Sequence, residues 1–306
     1  MNEKIEPFHK LMKDLSNRVD IEIDEKNLAY KKGSFPFFRI ASKNISPTDK
    51  VVLIRAGIHG DEISGPLTIL RHASQIIDYA HANGVKLIIY PIGNPSGYAL
   101  GLRYNIDNEN YGCGNNDFLR YELEDGRLVD DLGKNPQPFT RWFWSSEVAG
   151  VSLPLETAVM HKYLREIAPL KQIRAVIDLH QDYLTPGAEP SAYFYPFGEL
   201  SDYLPLVEKA RTVTPILNNS PIGAGFQTKI DAQGKVIKSG AGEQDMFTDD
   251  DGFIVRYDGS LTDLFWRLGA KYCVAVETTG ATPLDDAIQV NLIWILGLID
   301  LTAREK

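Results

Sequence analysis

Cysteine is almost absent: Cys113 and Cys273 are the only two in 306 residues. Such a pair supports neither a disulfide framework nor a CxxC metal signature. Cys273 lies in an apolar run and reads as a small core residue, and Cys113, among Gly and Asn, reads as loop. Basic excess is missing as well. With 32 Lys and Arg against 41 Asp and Glu, the formal net charge is -9. A nucleic-acid surface needs clustered Lys and Arg, so that class is excluded and a cationic or neutral substrate is favoured. The N-terminus lacks the apolar run of a secretory signal, and no later stretch approaches the roughly 18 consecutive apolar residues of a membrane span. A cytoplasmic protein with no membrane partner is the expectation. Internal repeats and low-complexity tracts are also lacking.

What the chain does have is a composition, 43% hydrophobic and 24% charged, that can bury a full core as one large domain. Short apolar runs bounded by turn residues predict strands at Val51 to Ala56, Lys86 to Pro91, Arg174 to Leu179, Ala192 to Pro196 and Tyr272 to Val276. Unbroken apolar runs of this kind suit strands buried on both faces. Amphipathic stretches near Pro66 to Ala80, Pro154 to Ile167 and Asp202 to Thr214 predict helices between them. A last helix is expected to start at Thr282, capped by its hydroxyl, with Pro283 at the first position and Asp285 and Asp286 in the first turn, and to run to Leu301. The alternation predicts an α/β fold: a single domain with a mixed, largely parallel twisted sheet and helices on both faces. Residues 1–50 are its N-terminal part and 51–306 its core. Two long segments, Asn94 to Glu147 and Asn218 to Gly252, break the rhythm and read as walls of a site. The acidic run Asp249 to Asp251 reads as a solvated loop.

Chemistry concentrates at two strand ends. Arg55-Ala-Gly-Ile-His59-Gly-Asp-Glu62 leaves a strand through glycine and enters a helix, which puts His59 and Glu62 about one turn apart. Ile177-Asp178-Leu179-His180 ends a second strand in the same way. Parallel strands bring their C-terminal ends to one edge, where α/β proteins bind ligands. Two imidazoles and one carboxylate leave a fourth position open on zinc, which suits a catalytic ion. Asp178 supports His180 from behind or is simply a strand-end residue. His9, His72, His81 and His161 lack such partners and read as core or solvated histidines.

With these residues in place the chain, from about Val51 onward, resembles the zinc carboxypeptidase family. His59-x-x-Glu62, Asn94-Pro-Ser-Gly-Tyr98, Asp178-Leu-His180, Tyr257-Asp-Gly-Ser-Leu-Thr-Asp263 and Gly269 to Glu277 follow one another in the family's order. The resemblance implies one zinc held by His59, Glu62 and His180, with Glu277 as the base that takes a proton from water. It implies Arg103 as the group that stabilises the oxyanion, and Tyr257 as a mobile residue that contacts substrate.

The pattern also departs from that family. Asp61 stands where several digestive carboxypeptidases carry an arginine, the spacing from Tyr257 to Asp263 is compressed, and the Asn-Arg pair that grips a terminal carboxylate has no clean counterpart. The segment Gly114 to Arg120 occupies that region and offers Asn116 and Arg120, whose planar guanidinium suits a carboxylate; surface duty for Arg120 fits equally. The metal core also resembles the succinylglutamate desuccinylase and aspartoacylase branch, in which a further domain typically follows the base, whereas here a helix follows Glu277. The expected activity is hydrolysis of a C-terminal or small peptide-like amide. The alternatives are deacylation of small N-acyl amino acids, or peptide binding without catalysis. The expected partner is a peptide or N-acyl amino acid.

Overall fold

The computed structural model describes residues 2–107, 119–129, 132–133, 138–150, 152–167, 170–185, 188–222, 227–230, 236–238, 247–255, 257 and 259–305. Helix α1 (Glu6–Leu15) precedes a hairpin of β1 (Ile21–Tyr30) and β2 (Gly33–Ser42), then β3 (Lys50–Ala56), α2 (Ser64–Ala82), β4 (Val85–Tyr90) and the short α3 (Pro95–Leu100). A small group follows: β5 (Leu119–Leu123), β6 (Leu128–Val129), β7 (Phe139–Trp144) and α4 (Ser145–Ala149). Helix α5 (Leu155–Lys162) continues into a π-helical turn over Tyr163–Ile167 and leads to β8 (Ile173–Asp182), β9 (Ala192–Phe197) and α6 (Leu204–Arg211). The chain closes with β10 (Gln227–Ile230), β11 (Val236–Lys238), α7 (Leu261–Arg267), β12 (Tyr272–Thr279) and α8 (Leu284–Arg304).

Seven strands form one sheet in the order β1-β2-β4-β3-β8-β12-β9. Its centre, β4-β3-β8-β12, is parallel, and antiparallel strands flank it on both sides. The expected α/β architecture is therefore present. Strand periodicity sends alternate side chains to opposite faces. On one face Val52, Ile54, Ala56, Ala175, Ile177, Leu179, Val274 and Val276 pack beneath α2, α6 and α8. On the other, Val51, Leu53, Val176 and Cys273 pack beneath α5, α7 and the three-stranded β6-β5-β7 sheet. The predicted strands all form, each within a few residues of its expected bounds.

Four details differ from the sequence reading. The first fifty residues supply a helix and two strands, and β1 and β2 extend the sheet beyond β4. The segment from Asn94 to Glu147 holds three paired strands as well as loop. Thr282 does not cap α8: its hydroxyl accepts from Ser191 N and donates to Ser191 O, both at 2.9 Å, and Pro283 stands at the cap. Asp285 and Asp286 do lie in the first turn. Finally, α8 is long and apolar enough by composition to cross a membrane, but 61% of that window is buried here against the sheet and its helices.

Candidate metal centre

Strand β3 ends at Ala56, and Gly57, at φ +64, turns the chain out of the sheet. A Cβ there would also meet Pro66 Cγ at 2.7 Å, so glycine is required twice over. His59 and Glu62 sit in the following turn, closed by Glu62 N donating to His59 O at 3.3 Å, and α2 begins only at Ser64. Their one-turn spacing therefore comes from a turn ahead of the helix, not from the helix itself. Gly60 lies against backbone: a Cβ there would come within 2.1 Å of Gly97 C. That approach joins the loop to the Asn94-Pro-Ser-Gly turn, where Gly60 N and Asn94 Nδ2 both donate to Arg103 O, at 3.0 and 3.2 Å. Arg103 is thereby carried to the same edge.

Strand β8 runs three residues beyond Leu179, so His180 is a strand residue and not the first residue of a loop. Its Cα is paired with that of Glu277 in parallel β12. These strand ends bring His59, Glu62 and His180 together, with one ligand atom from each lying within 4.8 Å of the others. His59 Nδ1 lies 2.8 Å from Glu62 Oε1, and His180 Nδ1 lies 2.9 Å from Glu62 Oε2. Arg103 donates to Glu62 Oε1 at 2.8 Å and Gln181 N donates to Oε2 at 3.2 Å. Glu277 Oε1 is 4.0 Å from His180 Nδ1, and its Oε2 is buried without a hydrogen-bond partner.

Burial lowers His59 to about 4, with Arg103 and His180 reinforcing the drop against the pull of Glu62. Near neutral pH it is a neutral imidazole, the form that ligates metal. Burial would raise Glu62, but His59, His180 and Arg103 hold it well below the usual carboxylate range. Burial likewise works to lower His180, yet Asp178, Glu277 and Glu62 together raise it well above an ordinary imidazole. Glu277 is pushed well up, first by burial and then by Glu62 and Asp182. Carboxylates thus crowd one side of two imidazoles whose Nδ1 atoms share a carboxylate. His180 Nε2 lies 3.1 Å from Asp178 Oδ2, so a proton on Nε2 leaves the Nδ1 lone pair free for a cation. The donor set of two nitrogens and one carboxylate fits a divalent metal with an open position.

Several neighbours of the cluster were not singled out from the sequence. Arg55 donates to Asp178 through Nε at 2.9 Å and also through a second nitrogen. Asp182 accepts from Tyr193 OH at 3.0 Å and from the backbone of Leu184 and Thr185, which shapes the turn after β8. That turn lays the half-exposed Tyr183 ring on Gly280, where a Cβ would come within 2.3 Å of the ring. The Tyr183 hydroxyl is raised by burial and by the charges of Asp61 and Glu62.

The remaining expected residues lie elsewhere. Tyr257 packs on Phe197 and Trp266, with the Arg267 guanidinium over its ring. Phe197 pairs with Cys273, four residues before Glu277, or about 13 Å along the strand. Arg120 lies in β5, paired with Phe143, and no described contact joins it to a ligand residue. Asn116 and Cys113 fall outside the described residues. His9, His72, His81 and His161 contact Phe38, Gln75, Asp20 and Trp144 respectively, away from the cluster.

A family model described as the succinylglutamate desuccinylase/aspartoacylase catalytic domain matches residues 48–232. Curated protein sequences give no match. Among solved structures, a protein of Shewanella amazonensis SB2B named as a candidate metallopeptidase superposes with a TM-score of 0.65 at 21% identity, covering 98% of this chain and 94% of that one. Carboxypeptidase A of Helicoverpa armigera superposes with a TM-score of 0.53 at 14% identity, covering 96% and 71%. A metallo-carboxypeptidase of Burkholderia cenocepacia gives 0.53 at 12% identity, covering 96% and 68%. These likenesses establish a shared fold.

Proposed function

Because this chain belongs to the succinylglutamate desuccinylase/aspartoacylase catalytic-domain family, a group of hydrolases, we propose that it is a zinc-dependent hydrolase of a C-terminal or small peptide-like amide. The observation that carries the reading is Glu277, a buried carboxylate with one unpartnered oxygen, paired across β8 and β12 with a ligand histidine. A bare buried carboxylate is costly in a purely structural site. It is what a proton acceptor beside a reacting water requires.

His59, Glu62 and His180 would hold the zinc, which would supply Lewis acidity, lowering the pKa of water and polarising a carbonyl. Glu277, raised by burial, takes the proton of the attacking water and returns it to the departing nitrogen. Arg103, held against Glu62, offers its charge to the oxygen on which negative charge develops. Its Nε is buried and unpartnered, which leaves a donor for that oxygen. Asp178 accepts a hydrogen bond from His180 Nε2–H and so keeps the imidazole in one tautomer. Tyr183, resting on Gly280 at the same edge, provides an aromatic wall for the substrate.

The family match favours a second reading, deacylation of small N-acyl amino acids. One panel separates the two. Purified protein carrying about one zinc per chain is offered blocked dipeptides with a free C-terminus, then N-acetyl and N-succinyl amino acids. Release from the first set supports carboxypeptidase action; release from the second alone supports the deacylase. Tight binding of peptide with no turnover across both sets favours a non-catalytic module and rejects the hydrolase.

A further inference from the structure

We propose that Arg55 is a positioning residue of the metal centre, acting through Asp178 on His180 and tying together the two strands that carry the ligands. The inference rests on the zinc reading above, and it concerns a residue outside the His59, Glu62 and His180 set.

Three observations converge on Arg55. First, it is the penultimate residue of β3, immediately before Ala56 and the Gly57 turn that leads to His59, and its Cα is the register partner of Asp178 in β8. Second, Arg55 and Asp178 are both almost fully buried, at 5% and 4% exposure. An ion pair removed from water in this way does not exchange readily for solvent contacts, and loss of one partner leaves the other charge uncompensated. Third, the contact is two-pronged: Nε binds Oδ1 at 2.9 Å while the terminal nitrogen binds Oδ2. The same Oδ2 lies 3.1 Å from His180 Nε2.

The geometry has a specific consequence. A fork of two parallel N–H groups fixes the plane of a carboxylate, which a single ammonium cannot do. With the plane of Asp178 fixed, its Oδ2 is aimed at His180 Nε2, and that contact sets the tautomer and ring direction of His180. The imidazole then presents Nδ1 toward Glu62 and His59, whose ring centroid is 5.2 Å from that of His180. One ion pair therefore holds the end of the His59 strand beside the His180 strand at the point where the ligands emerge. Hydrogen-bond partners behind a ligating histidine are worth about 10–100-fold in metal affinity, and the same order is expected here from one residue further back.

The test is the zinc dissociation constant of the full chain, measured by competition with a chromophoric chelator, for wild type, Arg55→Lys, Arg55→Met, Asp178→Asn and Arg55→Met/Asp178→Asn. Cobalt(II) substitution supplies a visible spectrum that reports ligand geometry, and thermal melts of the metal-free proteins show which variants fold. Arg55→Lys retains the charge and the bulk, so it is the variant expected to fold. It should weaken zinc about tenfold or more and alter the cobalt spectrum. The double variant should bind no more weakly than the weaker single variant, because both substitutions break the same chain of contacts. A folded Arg55→Lys that binds zinc within about twofold of wild type with an unchanged spectrum overturns the proposal, as do losses that simply add in the double variant. A wild-type chain that binds no zinc sinks the metal reading itself, and this inference with it.

Discussion

The two faces of the central sheet are made from alternate residues of the same strands and carry different chemistry. Beneath α2 and α8, strands β3, β8 and β12 present Val52, Ile54, Ala56, Ala175, Ile177, Leu179, Val274 and Val276. The polar atoms buried there are neutral: Asn291 donates to Ser64 Oγ and Thr68 Oγ1, at 3.4 and 3.2 Å. The same three strands present Arg55, Asp178, His180 and Glu277 from the intervening positions. A dry face tolerates hydroxyls and amides at modest cost, while a buried charge needs a counter-charge or a metal. One face therefore sets stability and the other sets chemistry, and a one-residue slip of β8 would exchange them.

The comparison predicts separable losses. Glu277→Gln should lower kcat about a thousandfold, within the range assigned to general acid–base groups, while zinc content stays at that of wild type. Steady-state kinetics beside metal analysis checks this, and full turnover by the variant would remove Glu277 from its role. On the opposite face, Trp294 is fully buried, with its ring 4.4 Å from Phe194 and 5.9 Å from Tyr203. Trp294→Ala should cost about 3–5 kcal/mol in urea unfolding and leave the zinc affinity of the folded protein unchanged. If zinc affinity falls with it, the division between the faces fails.

Strand ends and the His59, Glu62 and His180 cluster were legible in the sequence because each rests on local pattern. Apolar runs give way to turn or polar residues, and His59, Glu62, His180 and Glu277 lie at or just beyond those ends. The Arg55–Asp178 pair was not legible, since it depends on the register of β3 against β8, which neither segment encodes alone. Tyr183 was missed for a similar reason: its place over Gly280 is a contact between residues nearly a hundred positions apart. Strands β1 and β2 escaped notice because β1, Ile-Glu-Ile-Asp-Glu-Lys-Asn-Leu-Ala-Tyr, is an edge strand whose charges interrupt any apolar run. Tyr257 was placed by order along the chain, and its packing on Phe197 and Trp266 was not legible, since those partners come from separate elements.

A buried carboxylate also distinguishes the faces by pH. Glu156 on α5 is almost fully buried, accepts from Tyr30 OH at 2.9 Å and Asn105 Nδ2 at 2.7 Å, and is raised to about 7 chiefly by burial. A folded-state pKa above the ordinary glutamate value of 4.5 means the folded form binds the proton more tightly. Its contribution is complete below pH 4.5 and is lost as pH rises through 7. The loss amounts to about 3 kcal/mol at 1.36 kcal/mol per unit. Glu156→Gln should flatten the dependence of urea midpoint on pH between pH 4.5 and 8. A slope as steep as that of wild type would place the titrating group elsewhere.

The smallest effect is expected at an ion pair with the same chemistry as Arg55–Asp178 in the opposite setting. Arg71 on α2 donates to Asp285 in the first turn of α8 at 2.6 Å, with side chains 46% and 85% exposed against 6% for each partner of the buried pair. Water screens both charges and the long arginine loses rotamer freedom on pairing, so exposed pairs contribute about 0–1 kcal/mol. Asp285 also lies where the positive end of α8 favours an acidic residue whether or not Arg71 is present. Arg71→Ala should therefore lower the unfolding free energy measured in urea by less than about 1 kcal/mol, with a smaller loss in high salt, and leave zinc affinity untouched. A loss as large as that from breaking the buried pair would mean that burial is not what separates the two.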